Sequence, residues 1–145
     1  GNAVYKPGPG GHRGEVTAWD PVHRRPAWKR RESFPVWSAT LATAGDVVFY
    51  GTMDRWFKAV HARTGELLWR FRTGSGIIGQ PITYRGPDGK QYVAVFDGVG
   101  GWPGAIVANE LSPEDPTAAG GWGLAMRDLP QATERGGTLY VFELP

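Results

Sequence analysis

Two tryptophans stand where a side chain can face a ligand. Trp102 lies in Gly98-Val99-Gly100-Gly101-Trp102-Pro103-Gly104, a run of glycine and proline that suits a loop. An indole on such a loop offers a flat apolar face. The glycines beside it leave backbone N–H groups uncovered for the oxygens of a ligand. Trp37 follows Pro35-Val36 at the head of an apolar stretch. Residue type alone reads Trp37 as a core side chain at least as readily as a ligand wall.

Other chemistry-bearing residues point to ordinary structural work. Asp54-Arg55 reads as a turn with a surface ion pair rather than an acid/base pair. Asp97 precedes the glycine loop; turn capping is the expectation, a carboxylate at a channel mouth the alternative. His12, His23 and His61 are far apart and lack metal-ligand spacing. The chain has no cysteine, which excludes a disulfide, a thiolate metal site and a cysteine nucleophile. No Ser/His/Asp constellation can be assembled. The 98–104 run lacks the Lys-Ser/Thr and the strand–helix context of a phosphate loop. The expectation is therefore a set of binding residues with no catalytic residue and no metal ligand on this chain.

The elements that must hold these residues follow from composition and spacing. The 145 residues are enough for a real core, and 41% are hydrophobic. Twenty-two glycines and twelve prolines suit many short strands joined by turns. Net charge is +2, and no long Lys/Arg run builds a nucleic-acid stripe. The dense basic patch, His23-Arg24-Arg25 with Lys29-Arg30-Arg31, reads as a solvated turn and strand face. No apolar stretch reaches the roughly 18 residues a membrane span needs. Residues 1–14 carry no signal-peptide core and read as a loop, like the middle of something larger.

Seven tryptophans ask for a repeating use. Trp28 and Trp69 are 41 residues apart, each ten residues after an alanine, Ala18 and Ala59. That period fits a four-stranded propeller blade. Asp20 in the first copy can cap its turn, as Thr64-Gly65 does in the second, where His61 replaces the aspartate. Each Trp then lies between adjacent blades and buries a large apolar area. Trp19, Trp56 and Trp122 are expected to pack in a core or interface.

The fold class read from this is all-β: the last blades of a β-propeller with tryptophan-docking motifs, an incomplete ring. The expected division is a loop (1–14), the end of one blade (15–33), a complete four-stranded blade (34–73), a final blade (74–109 and 138–145), and an inserted loop (110–137) with a short helix near 117–128. Strands are expected at 36–42, 47–52, 56–61, 67–72, 80–84, 91–96, 105–108 and 138–144. Such a piece exposes strand edges and needs further blades for stability.

Three stretches add a resemblance: 35–52, opening Pro35-Val36-Trp37; Gly74-Ser75-Gly76-Ile77-Ile78-Gly79-Gln80-Pro81; and Gly98 to Gly104. With the repeats, they resemble the C-terminal portion of pyrroloquinoline quinone (PQQ)-dependent alcohol dehydrogenases of the methanol/ethanol dehydrogenase type, including the lanthanide-using branch. The likeness runs from about Gly8 to Pro145.

The resemblance implies an eight-bladed ring with PQQ in its central channel, and oxidation of a primary alcohol to an aldehyde. It implies that Trp37, Gly100, Gly101 and Trp102 wall the cofactor. It implies Ca2+ or a lanthanide ion bound by parts of the enzyme outside this chain, and catalytic residues there too, so the piece alone is expected to be inactive. The implied partners are the remaining blades, a small alcohol, and a c-type cytochrome as candidate acceptor, in the periplasm; a nucleic acid and a transmembrane span are not expected. A non-catalytic propeller module that binds protein, or an inactive truncated remnant, are the alternatives.

Overall fold

A computed structural model of the chain describes residues 5–115 and 117–145. The first four residues of the expected 1–14 loop, and Pro116 of the 113–116 turn cluster, lie outside the described residues. Among the described residues, nine strands form three antiparallel sheets. The first is a ribbon of β1 (Gly14–Asp20) and β2 (Arg25–Glu32). The second runs in order β3 (Leu41–Ala42), β4 (Val47–Gly51), β5 (Trp56–His61) and β6 (Leu67–Arg72). The third joins β7 (Ile82–Arg85), β8 (Gln91–Phe96) and β9 (Leu139–Glu143). Among the described residues no sheet closes a ring.

The two-residue period of a strand decides which neighbour each side chain meets. Val48 and Tyr50 of β4, with Val60 of β5, face the ribbon and pack with Val16 and Trp28. Their alternates Phe49, Phe57 and Ala59 face the third sheet and pack with Val93, Val95, Tyr140 and Phe142. The four-stranded sheet is thus apolar on both faces because it is sandwiched. The outer face of the third sheet has no such cover: Ile82, Phe96, Leu139 and Val141 are all about half exposed.

The first copy of the repeat docks as the spacing requires. The Trp28 ring lies against Gly65, where an added Cβ would stand 2.6 Å from the ring. Trp28 Nε1 donates to the Ala62 carbonyl at 2.8 Å. Gly65 also has φ 72°, so glycine is required there twice over. Asp20 accepts the Val22 N–H, and His61 Nδ1 accepts the Arg63 N–H in the equivalent turn. His61 therefore substitutes for the aspartate by supplying the same acceptor. Trp69 has no equivalent docking partner among the described residues. It is 38% exposed and meets Phe142 edge-on.

Four local expectations fail. Of 36–42, only Leu41–Ala42 is strand; Ser38 Oγ instead accepts the Gly51 N–H, and the chain before it stays a loop. Residues 105–108 are not a strand, because Gly101–Val107 forms α1. A short apolar run cannot be assigned by periodicity alone, and Pro103 in the first helical turn sacrifices no hydrogen bond. Asp54 and Arg55 do not pair: Arg55 Nε donates to the Thr73 carbonyl, and Asp54 Oδ1 is enclosed without a partner among the described residues. Trp19 is 59% exposed, on the ribbon face that nothing here covers.

The inserted segment holds two 3-10 turns, Ala118–Gly121 and Gly123–Met126, and α2 (Leu129–Ala132). They bury Met126 and Leu129 against Ile106 of α1 and Phe34 and Met53 of the blade.

Candidate functional site

The glycine loop grows from a fixed root. Asp97, 4% exposed, follows the last residue of β8. Its carboxylate accepts the Ser75 N–H and the Thr138 N–H, both at 2.7 Å. That is turn capping, the first of the two roles expected for it. The next residue, Gly98, donates its N–H to the Gly76 carbonyl at 2.7 Å. Gly76 N–H in turn donates to Thr133 Oγ1. One buried carboxylate thus ties together the 73–77 loop, the end of β8 and the return of the insertion.

Past this root the chain opens. A Cβ placed on Gly100 or Gly101 would meet nothing within 4 Å. Gly101 turns the chain with φ 56° into α1. Trp102 sits in the first turn of that helix and is 51% exposed. Its Nε1 donates to no acceptor among the described residues. The site therefore presents an uncovered indole beside uncovered backbone.

Trp37 arrives from another direction. It lies in the loop between β2 and β3, half buried, and packs on the cluster of Phe34, Met53, Ile106, Ala119, Met126 and Leu129. Ile106 is one helical turn beyond Trp102. The two tryptophans thus adjoin the same short helix, Trp102 as part of it and Trp37 through the cluster that Ile106 joins. Their rings do not stack on each other.

The charged side chains gather elsewhere. A cleft of about 750 Å3 is lined by His12, Arg13, Arg31, Glu32, Asp54, Arg72 and Asp128. Arg13 grips Asp128 through Nη1 and Nη2, and its hydrogen bonds hold that carboxyl below the usual range. Neither Trp37 nor Trp102 lines this cleft. Among the described residues no three His, Cys, Asp or Glu side chains are grouped to hold a metal ion. No helix among them is long and apolar enough to cross a membrane.

Sequence reasoning missed one polar group entirely. Glu32, buried on β2, accepts from Tyr50 Oη and Lys58 Nζ, both at 2.6 Å. The three residues are 18 and 26 positions apart, so no local spacing announces them.

Residues 11–93 match the family model described as PQQ, glucose/ethanol/alcohol dehydrogenase, beta-propeller domain. The chain is 54% identical over 133 residues to the lanthanide-dependent methanol dehydrogenase of Methylacidiphilum fumariolicum (strain SolV), covering 90% of this chain and 22% of that protein. It is 42% identical over 134 residues to the quinoprotein ethanol dehydrogenase of Pseudomonas aeruginosa, covering 92% of this chain and 19% of that one. Among solved structures, a europium-containing methanol dehydrogenase superposes with a TM-score of 0.84 at 51% identity, over 94% of this chain and 24% of that one. The chain thus spans about a fifth of the length of the curated relatives it matches.

Proposed function

The chain belongs to the PQQ β-propeller family of glucose, ethanol and alcohol dehydrogenases, and from that premise we propose that it forms part of the cofactor wall of an enzyme oxidising a primary alcohol to an aldehyde. The observation that carries the reading is the half-exposed Trp102 ring beside the open backbone of Gly100 and Gly101. PQQ is a flat, polyanionic o-quinone, and when bound it supplies the acceptor for the two electrons of the alcohol. A flat ring fits an exposed indole, a contact worth about 0.5–1.5 kcal/mol beyond burial. Its carboxylates and quinone oxygens fit backbone N–H groups that no side chain shields.

The residues of this chain bind and orient; they do not move a proton or hold a metal. Trp102 and the two glycines contact the cofactor, and Trp37 contributes a second aromatic side from the β2–β3 loop. Ca2+ or a lanthanide ion, the catalytic base and the rest of the ring come from sequence that the relatives have beyond this stretch. The bare outer face of the third sheet and the exposed Trp19 of the ribbon are consistent with further blades on both sides of these sheets. A small alcohol as substrate, a c-type cytochrome as electron acceptor and a periplasmic location accompany the reading.

The test is reconstitution of the full-length protein with PQQ and either Ca2+ or a lanthanide, followed by dye-linked oxidation of primary alcohols. Retained quinone absorbance and alcohol-dependent dye reduction are expected. Absence of both, with metal present, overturns the proposal.

A further inference from the structure

The inserted segment contains an unusual stretch of backbone. Ala119 has φ 51° and ψ 35°, and Gly120 has φ 62° and ψ 27°. Gly121 follows with φ 96°, so three successive residues of positive φ interrupt what would otherwise be a plain 3-10 turn. Left-handed backbone is readily open to glycine and unfavourable for alanine. Such a conformation persists only where its surroundings over-determine it.

Those surroundings are on either side of the kink. Ala119 is buried, its methyl group in the cluster with Ile106, Met126 and Leu129. Its carbonyl accepts the Trp122 N–H, and Gly120 N–H donates to the Thr117 carbonyl. Gly120 then shows bare backbone to the benzo edge of Trp102: a Cβ there would stand 3.5 Å from Cη2 and 4.0 Å from Cζ3. Ile106, which shares the Ala119 cluster, is on the same helix as Trp102. The indole is held at its root by α1 and faces the kink at its far edge.

We infer that the Ala119–Gly120 kink positions the Trp102 indole for the cofactor, with Ala119 the anchor and Gly120 the surface that sets the ring's tilt. The inference rests on the reading of Trp102 as a cofactor contact. Neither residue touches the cofactor; both act through Trp102. The absence of a side chain at Gly120 is the active part, because a branched side chain there would occupy the space beside the indole edge.

The experiment uses the full-length protein with added PQQ and metal, and compares Gly120→Val, Ala119→Gly, Trp102→Ala and the pair Gly120→Val/Trp102→Ala. The readouts are quinone retained after desalting, indole near-UV circular dichroism in the absence of PQQ, and the thermal midpoint. Gly120→Val is expected to weaken PQQ retention by about tenfold or more through misplacement of the contact, to change the indole signal, and to lose that effect in the Trp102→Ala background. Ala119→Gly adds no bulk and relieves the backbone, so it folds even if the valine variant does not. It is expected to loosen the ring and lower retention in the same direction.

Equal loss on adding Gly120→Val with and without Trp102 overturns the inference. So does unchanged retention in Gly120→Val and Ala119→Gly while Trp102→Ala alone weakens it, and in that case the cofactor-wall reading still stands. Unchanged retention in Trp102→Ala brings down both.

Discussion

Lys58 Nζ stands 2.6 Å from Glu32 Oε2 across the seam between the ribbon and the four-stranded sheet, with both side chains nearly excluded from water. Tyr50, the direct cross-strand neighbour of Lys58, donates to the other carboxylate oxygen. One carboxylate thus joins two blades through two donors. Lys58→Met leaves that carboxylate buried without its countercharge, at a cost of about 3–5 kcal/mol. Replacing Glu32 by Gln as well should restore part of the loss, because the charge goes too. Urea denaturation of the full-length protein checks both. A single-variant loss under about 1 kcal/mol would mean the pair behaves like a surface one.

The same group gives stability an alkaline limit. Burial first, and then the hydrogen bond to Glu32, push the Tyr50 hydroxyl well above the ordinary tyrosine value. Its folded-state pKa exceeds the unfolded value of about 10, so the folded state holds the proton longer. The contribution is complete below that pH and is lost as pH rises from there toward the folded value. Thermal midpoints should therefore decline above about pH 10. Tyr50→Phe should be less stable at neutral pH, since it leaves Glu32 Oε1 unsatisfied, yet show a shallower alkaline decline. Equal slopes in the two proteins would refute the assignment to Tyr50.

Trp28 and Gly65 make a second, apolar lock on the same seam. Gly65→Ala drives a methyl group into the indole, at 2.6 Å, and strains a backbone at φ 72°. Overpacking and left-handed strain together should cost about 2–5 kcal/mol. Trp28→Phe keeps a ring but loses the bond to the Ala62 carbonyl, for about 1 kcal/mol besides lost area. Denaturant midpoints that rank Gly65→Ala as the milder change would contradict the docking geometry.

This lock also shows why the propeller was legible in the sequence. Docking puts Trp28 of one blade on the Gly65 turn of the next, so each blade repeats the same tryptophan and the same turn acceptor. Asp20 and His61 hold equivalent positions because both offer an acceptor to the N–H two residues on. Periodic contacts leave periodic residues. The Glu32 group does not repeat, and its members come from different strands, so no spacing betrays it. The helix at Gly101–Val107 was hidden for a local reason. Glycines and a proline look like helix breakers, yet here they turn the chain and occupy the first helical turn. In the sequence Trp102 stands out by its glycine run and by resemblance, and Trp37 by resemblance alone; the helix that both adjoin emerges from folding alone.

Asp97 should matter to the glycine loop more than to the sheets. Asp97→Asn puts an amide opposite one of two backbone N–H donors and loses a charge-assisted bond, at about 1.5–3 kcal/mol. Hydrogen exchange should quicken at Ser75 and Thr138, the two donors, before it quickens in β4 and β5. Uniform acceleration across the chain would instead make Asp97 a general core residue.

Trp37 and Trp102 should separate under truncation, because one is packed and the other is open. Trp37→Ala removes a half-buried ring that packs against the cluster beneath the insertion, so it opens a gap there. It should lower stability by about 2–4 kcal/mol, and it should lower PQQ retention as well. Trp102→Ala removes a ring that is 51% exposed, so its packing loss is small. It should lower PQQ retention while the thermal midpoint of the PQQ-free full-length protein stays within a few degrees of the parent. The comparison must be made without cofactor, because bound PQQ itself stabilises the folded state. Equal drops in midpoint for the two variants, or full PQQ retention in Trp102→Ala, would show that Trp102 is a structural residue and that the open loop is not the cofactor wall.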